Sequence, residues 1–143
     1  MHANPLDSED ALAAFLEAFE GHTLPKEAFT HAAHVTVASC YLHGSDPETV
    51  LPRMRTAIRS FNESVGGQNT DTAGYHETLT VFWLRIVAYH LQEQNPVSRL
   101  EAARSAVSAF GSQRALHKDY YSGDVVADTA ARRTWREPDR QLL

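Results

Sequence analysis

A chain of 143 residues with 43% hydrophobic content can build a substantial core in one domain, so neither disulfides nor a structural metal is needed for folding. A formal charge of -5 and scattered basic residues argue against the basic stripe that nucleic-acid binding demands. Cys40 is the only cysteine, which excludes an intramolecular disulfide, and the longest apolar run, residues 79–91, is interrupted by Arg85 and falls short of the roughly 20 residues that cross a bilayer.

No membrane partner is expected on these grounds. The first ten residues, "MHANPLDSED", lack the basic and apolar regions of a signal peptide, which predicts a cytoplasmic protein. No stretch shows the alternation or the Asn-Gly turn of a sheet. The expected fold is therefore all-α: a single-domain bundle over 1–143 with about five main helices, then a segment of short helices and irregular chain.

The first helix is predicted from about Ser8 to Phe19, with Leu12, Phe15, Leu16 and Phe19 on one face and Gly21 beyond its end. "LPKEAF" opens the second near Pro25, and Gly44 closes it. Asp46-Pro47 reads as an N-cap and first-turn proline for the third, with Pro52 a kink or a delayed start. Leu51, Met54, Ile58 and Phe61 form its apolar seam.

Residues 64–74, rich in Gly, Asn, Asp and Thr, read as an ordered loop leading into a fourth helix from about Tyr75 to Gln94, capped by Asp71 or Thr72. The free N–H groups of that helix could alternatively attract an anion. Asn95-Pro96 repeats the cap-plus-proline start and gives a fifth helix to about Phe110, stopped by Gly111. One or two short helices are expected between Arg114 and Trp135, followed by a surface tail.

The second helix contains "FTHAAHV", in which His31 and His34 lie within about 60° of each other on a face shared with Val35, Ala38, Tyr41 and Leu42. On the fourth helix His76 lies nearly opposite Arg85, aligned with Thr80, Trp83 and Val87, so it too points inward. If helices two, three and four run up, down and up, the N-terminal turns of the second and fourth meet and bring His31, His34 and His76 into one layer. Burying such groups without partners would cost several kcal/mol.

Three readings of that layer stay open: metal binding, metal-free acid-base or ligand-binding work, and a hydrogen-bonded structural network. The leading expectation is an enzyme with a divalent transition metal, Zn or Fe, held by His31, His34 and His76 and acting on a small polar molecule by hydrolysis, elimination or oxygen activation. Glu77 and Tyr75 are its catalytic candidates, and Trp83, Thr80 and Asn69 its substrate contacts. The alternative is a metal-free small-molecule-binding or interaction module using the same histidines. A homodimer of the chain is kept open as well.

His43 and His90, near helix C-termini, read as structural. His2 and His22 read as exposed, and His117 lies in a segment of weak signal.

The pair "THAAH", the segment "GYHET" at 74–78, the tyrosines of "YYS" at 120–122 and "WREPD" at 135–139 together resemble a family of small uncharacterised bacterial all-helical proteins with THxxH and GYHET motifs. The likeness spans most of the chain and implies that the histidines matter, without implying a reaction. Arg136 stands where that pattern would carry an apolar residue. "HAAHVTVA" is similar, more weakly, to a helix of the histidine-aspartate phosphohydrolases, whose His-Asp dipeptide is missing here.

Overall fold

Ser8, Thr30, Asp46, His76, Ser98 and Asp128 each accept a backbone N–H from the residue three places on, and each opens an α-helix in the computed structural model, which describes residues 4–143. The helices are α1 (Glu9–Glu20), α2 (His31–Leu42), α3 (Pro47–Ser64), α4 (Glu77–Gln94), α5 (Arg99–Phe110) and the short α6 (Thr129–Arg133). Single 3-10 turns occupy Lys26–Ala28 and Leu116–Asp119, and the described residues contain no strand. The all-α expectation holds, and no helix is long and apolar enough to cross a membrane. His2 lies outside the described residues.

Several boundaries differ from the sequence reading, each for a local reason. Pro25 opens only a 3-10 turn, and the chain breaks at Phe29 before Thr30 caps α2 with its hydroxyl. Pro52 sits inside α3 and neither kinks it into two helices nor delays its start. Near the N-terminus of a helix, proline forfeits a single backbone bond. Asn95 does not begin α5: it adopts the left-handed conformation, φ 48°, as the residue that ends α4, and Ser98 is the cap that starts α5. Neither Asp71 nor Thr72 caps α4, because the imidazole of His76 does.

α2 is the central element. Eight of its twelve residues are buried, because α3, α4 and α5 all pack around it, and its Thr36 and Ser39 hydroxyls bond back to Ala32 and Thr36 carbonyls rather than reaching water. The main core joins Leu12, Leu16 and Phe19 of α1 to Val35 and Val37 of α2, Met54 and Phe61 of α3, Leu84 and Val87 of α4, and the alanines of α5. Small residues on α5, Ala102, Ala103 and Ala106, are wholly buried and let that helix approach closely.

A smaller apolar group covers the other side of α4. Phe82 packs there with Tyr121, Val125 and Ala131 of the C-terminal segment. Thr78, fully buried, ties this segment down: its hydroxyl donates to the Thr134 carbonyl at 2.9 Å and accepts the Arg136 N–H at 3.0 Å. Arg136 therefore contributes its backbone to the docking, with its carbonyl taking the Tyr121 hydroxyl and its guanidinium reaching Asp128. That is why a charged residue is accepted where the pattern suggested an apolar one.

Candidate functional site

The first turns of α2 and α4 do meet at one end of the bundle, and between them lies a cavity of about 390 Å³. α2 contributes His31, His34, Val35 and Ala38, α3 contributes Met54 and Ile58, and α4 contributes Leu79, Thr80, Trp83, Leu84 and Val87. Tyr75 and His76 close it from the loop before α4, and Arg114, His117 and Val126 from the C-terminal segment. The three histidines singled out in the sequence thus line one cavity, together with Trp83 and Thr80.

The hydrogen bonds fix what each imidazole can do. His31 Nε2 lies 3.0 Å from the Phe110 carbonyl and His34 Nδ1 lies 2.9 Å from the Thr30 carbonyl, so each of these nitrogens carries the hydrogen and donates it. His31 Nδ1 and His34 Nε2 remain as acceptors with no hydrogen bond among the described residues. His76 is different. Its Nε2 donates to the Val125 carbonyl at 2.9 Å and its Nδ1 accepts the Leu79 N–H at 3.2 Å, so both ring nitrogens are committed to backbone. The ring fastens the start of α4 to the C-terminal segment.

All of these rings are held neutral. Burial lowers the pKa of His34 to about 4, against a smaller opposing effect of its bond to Thr30. Burial likewise lowers His31, whose bond to Phe110 opposes the shift while Arg114 and His117 reinforce it, and lowers His76 and His117. Aromatic contacts complete the setting: the Phe29 ring centroid lies 3.8 Å from that of His34, and Trp83 meets His31 edge-on at 4.7 Å.

The metal reading does not fit these donors. His76 could ligate an ion only by giving up a helix cap or its bond to Val125. Among the described residues no group of three or more His, Cys, Asp or Glu side chains is placed to hold an ion.

Glu77 is not available to the cavity as a base. It accepts two hydrogen bonds from Arg55, at 3.0 and 2.7 Å, and one from the Tyr75 hydroxyl at 2.6 Å, in a separate cleft that also contains Arg59, Arg132 and Arg133. Burial alone would raise its pKa. The bonds from Arg55 and Tyr75, with the charges of Arg55 and Arg59, outweigh that and hold the carboxyl below its ordinary value. Tyr75, a catalytic candidate in the sequence, has its own pKa raised, first by burial and then by Glu77, so its hydroxyl stays protonated and serves this pair.

Asn69 is not a cavity contact either. Its Nδ2 donates to the Arg59 carbonyl and to Glu63, and its Oδ1 accepts from Asn62 and from the Tyr75 N–H, which exhausts an amide's capacity. Asn69 builds the loop that delivers Tyr75 and His76. Gly74 is required in the same loop: its φ is +81°, and a Cβ there would collide with the Gln68 carbonyl oxygen and the Asn62 and Asn69 side chains.

Two cavity residues had no signal in the sequence. His117 is 9% exposed, and its Nδ1 is buried without a hydrogen-bond partner. Arg114 is exposed and makes no salt bridge among the described residues. Arg114 lies just before a 3-10 turn and His117 within it, and so short a turn has no apolar period to reveal which way a side chain faces. Comparisons with protein-family models, with curated proteins and with solved structures find no match to the chain.

Proposed function

We propose that the cavity is a metal-free binding site for a small, largely apolar molecule that offers N–H or O–H donors to neutral His31 and His34. The observation that carries this reading is the split role of the two rings. One nitrogen of each is locked to a carbonyl, which orients the ring, and the other is left as an acceptor in a cavity otherwise walled by Val35, Met54, Ile58, Leu79 and Trp83. Neither nitrogen is sealed from solvent, so a bound molecule that donates to both would replace water there while burying its apolar part against the walls.

The volume suits a molecule of one ring or a short chain. Trp83 supplies an edge contact and Thr80, whose hydroxyl donates to the His76 carbonyl at 2.8 Å, keeps an acceptor lone pair for a further bond. The reading predicts that phenols and anilines of this size bind, shift the Trp83 indole resonance, and lose affinity in His31→Phe and His34→Leu variants that fold normally. Ligands that bind equally well to those variants, or that leave Trp83 unmoved, would contradict it. The metal-dependent reading would gain if binding required an added transition metal.

A further inference from the structure

The chain carries 18 Asp and Glu residues against 13 Lys and Arg, yet among the described residues no carboxylate lines the histidine cavity, and the one formally charged group there is Arg114. That guanidinium has no salt bridge among the described residues, whereas Arg55, Arg99 and Arg136 each hold a carboxylate within 3.0 Å. Close by in sequence and on the same wall, His117 is nine-tenths buried with an unpartnered Nδ1. Arg114 is near enough for its charge to act on His31. An acidic protein has kept acid out of this cavity and left a cation and an unsatisfied imidazole in it.

We infer that the molecule bound in the cavity is an organic carboxylate, its carboxylate taken by the Arg114 guanidinium and its apolar body lying toward Trp83. The inference rests on the binding-site reading given above and adds the charge of the ligand and the residue that selects it. A planar guanidinium matches a carboxylate through two parallel N–H donors. A single arginine beside a neutral ring suits one negative charge better than a phosphate, which calls for more donors than this wall offers. The neutral end of the molecule would carry the hydroxyl or amino group that His31 and His34 require.

The pair 4-hydroxyphenylacetate and 4-hydroxyphenylacetamide tests this, because the two differ in the charged group and share ring and hydroxyl. Affinities are measured by NMR titration of the full chain at about pH 7, following the Trp83 indole, for the native protein and for Arg114→Gln. The expected result is that the acid binds about tenfold or more tightly than the amide. Arg114→Gln should abolish most of that preference while leaving the melting temperature unchanged, since Arg114 is exposed and makes no salt bridge among the described residues. Equal binding of acid and amide, or a preference that survives Arg114→Gln, would overturn the carboxylate assignment and leave the cavity reading intact. Failure of both compounds to move Trp83 at millimolar concentration would instead remove the cavity reading on which the assignment rests.

Discussion

His76 caps α4 through one ring nitrogen, taking the Leu79 N–H at 3.2 Å, and holds Val125 through the other, at 2.9 Å. A neutral imidazole with hydrogen on Nε2 can do both at once, and neither the protonated ring nor the other tautomer can. The residue therefore belongs to the frame of the cavity, and the chemistry of binding falls to its neighbours.

His76→Ala should then destabilise the protein by about 2–3 kcal/mol, combining a lost helix cap with a lost buried hydrogen bond. In a chain of this size that lowers the melting temperature by roughly 5–10 °C. His76→Asn restores the cap alone and should recover only part of the loss. Urea denaturation of the two variants measures this, and a stability change below about half a kcal/mol for alanine would show that His76 is not structural.

Acid should weaken the fold well above the carboxylate range. His31, His34, His76 and His117 all have folded-state pKa values below the ordinary 6.5, so the unfolded chain takes up protons first. Their contribution is complete above about pH 6.5 and is lost as pH falls toward the folded values, about 4 for His34. His34, whose pKa is lowered furthest, contributes the largest share of that loss. Urea unfolding at about pH 5 and pH 7.5 should give clearly lower stability at the acid value, and equal or greater stability there would contradict the neutral assignment.

Glu77→Gln should cost about 1–2 kcal/mol by breaking the two-point contact with Arg55, whose partner is largely buried, while leaving ligand affinity in the cavity unchanged. Denaturation and the NMR titration described above read the two effects separately. Lost binding with unaltered stability would return Glu77 to the site.

Thr78→Val should unfasten the C-terminal segment without emptying the main core. It leaves the Thr134 carbonyl and the Arg136 N–H without their buried partner, a loss of about 2–3 kcal/mol. Amide exchange should accelerate at Arg136 and around Tyr120–Ser122 more than in α2. Uniform acceleration across the chain would mean that the segment is not a separate unit.

How much of this was readable in the sequence depends on periodicity. The α1, α3 and α4 seams and the inward placement of His31, His34 and His76 follow from a helical repeat sustained over several turns. The role of His76 did not follow, because a residue one place before the helix looks the same in sequence as its first turn, and only the Leu79 and Val125 contacts distinguish them. Glu77 is adjacent to His76 in the chain yet faces another cleft, since His76 is in extended backbone as the cap, Glu77 is the first helical residue, and Arg55 and Tyr75 hold its carboxylate there. His117 reaches the cavity from a 3-10 turn across the fold and Arg114 from just before that turn, and nothing local marks them.

The measurement that bears most directly on the central claim is a long-range proton–nitrogen spectrum of the histidine rings at about pH 7, recorded with chelator, with an equivalent of Zn²⁺, and with a bound phenol. The account predicts neutral rings throughout: hydrogen on Nε2 in His31 and His76, hydrogen on Nδ1 in His34, no change on adding Zn²⁺, and a shift of His31 Nδ1 and His34 Nε2 when the phenol binds. A spectrum in which Zn²⁺ moves His31, His34 and His76 together would contradict it.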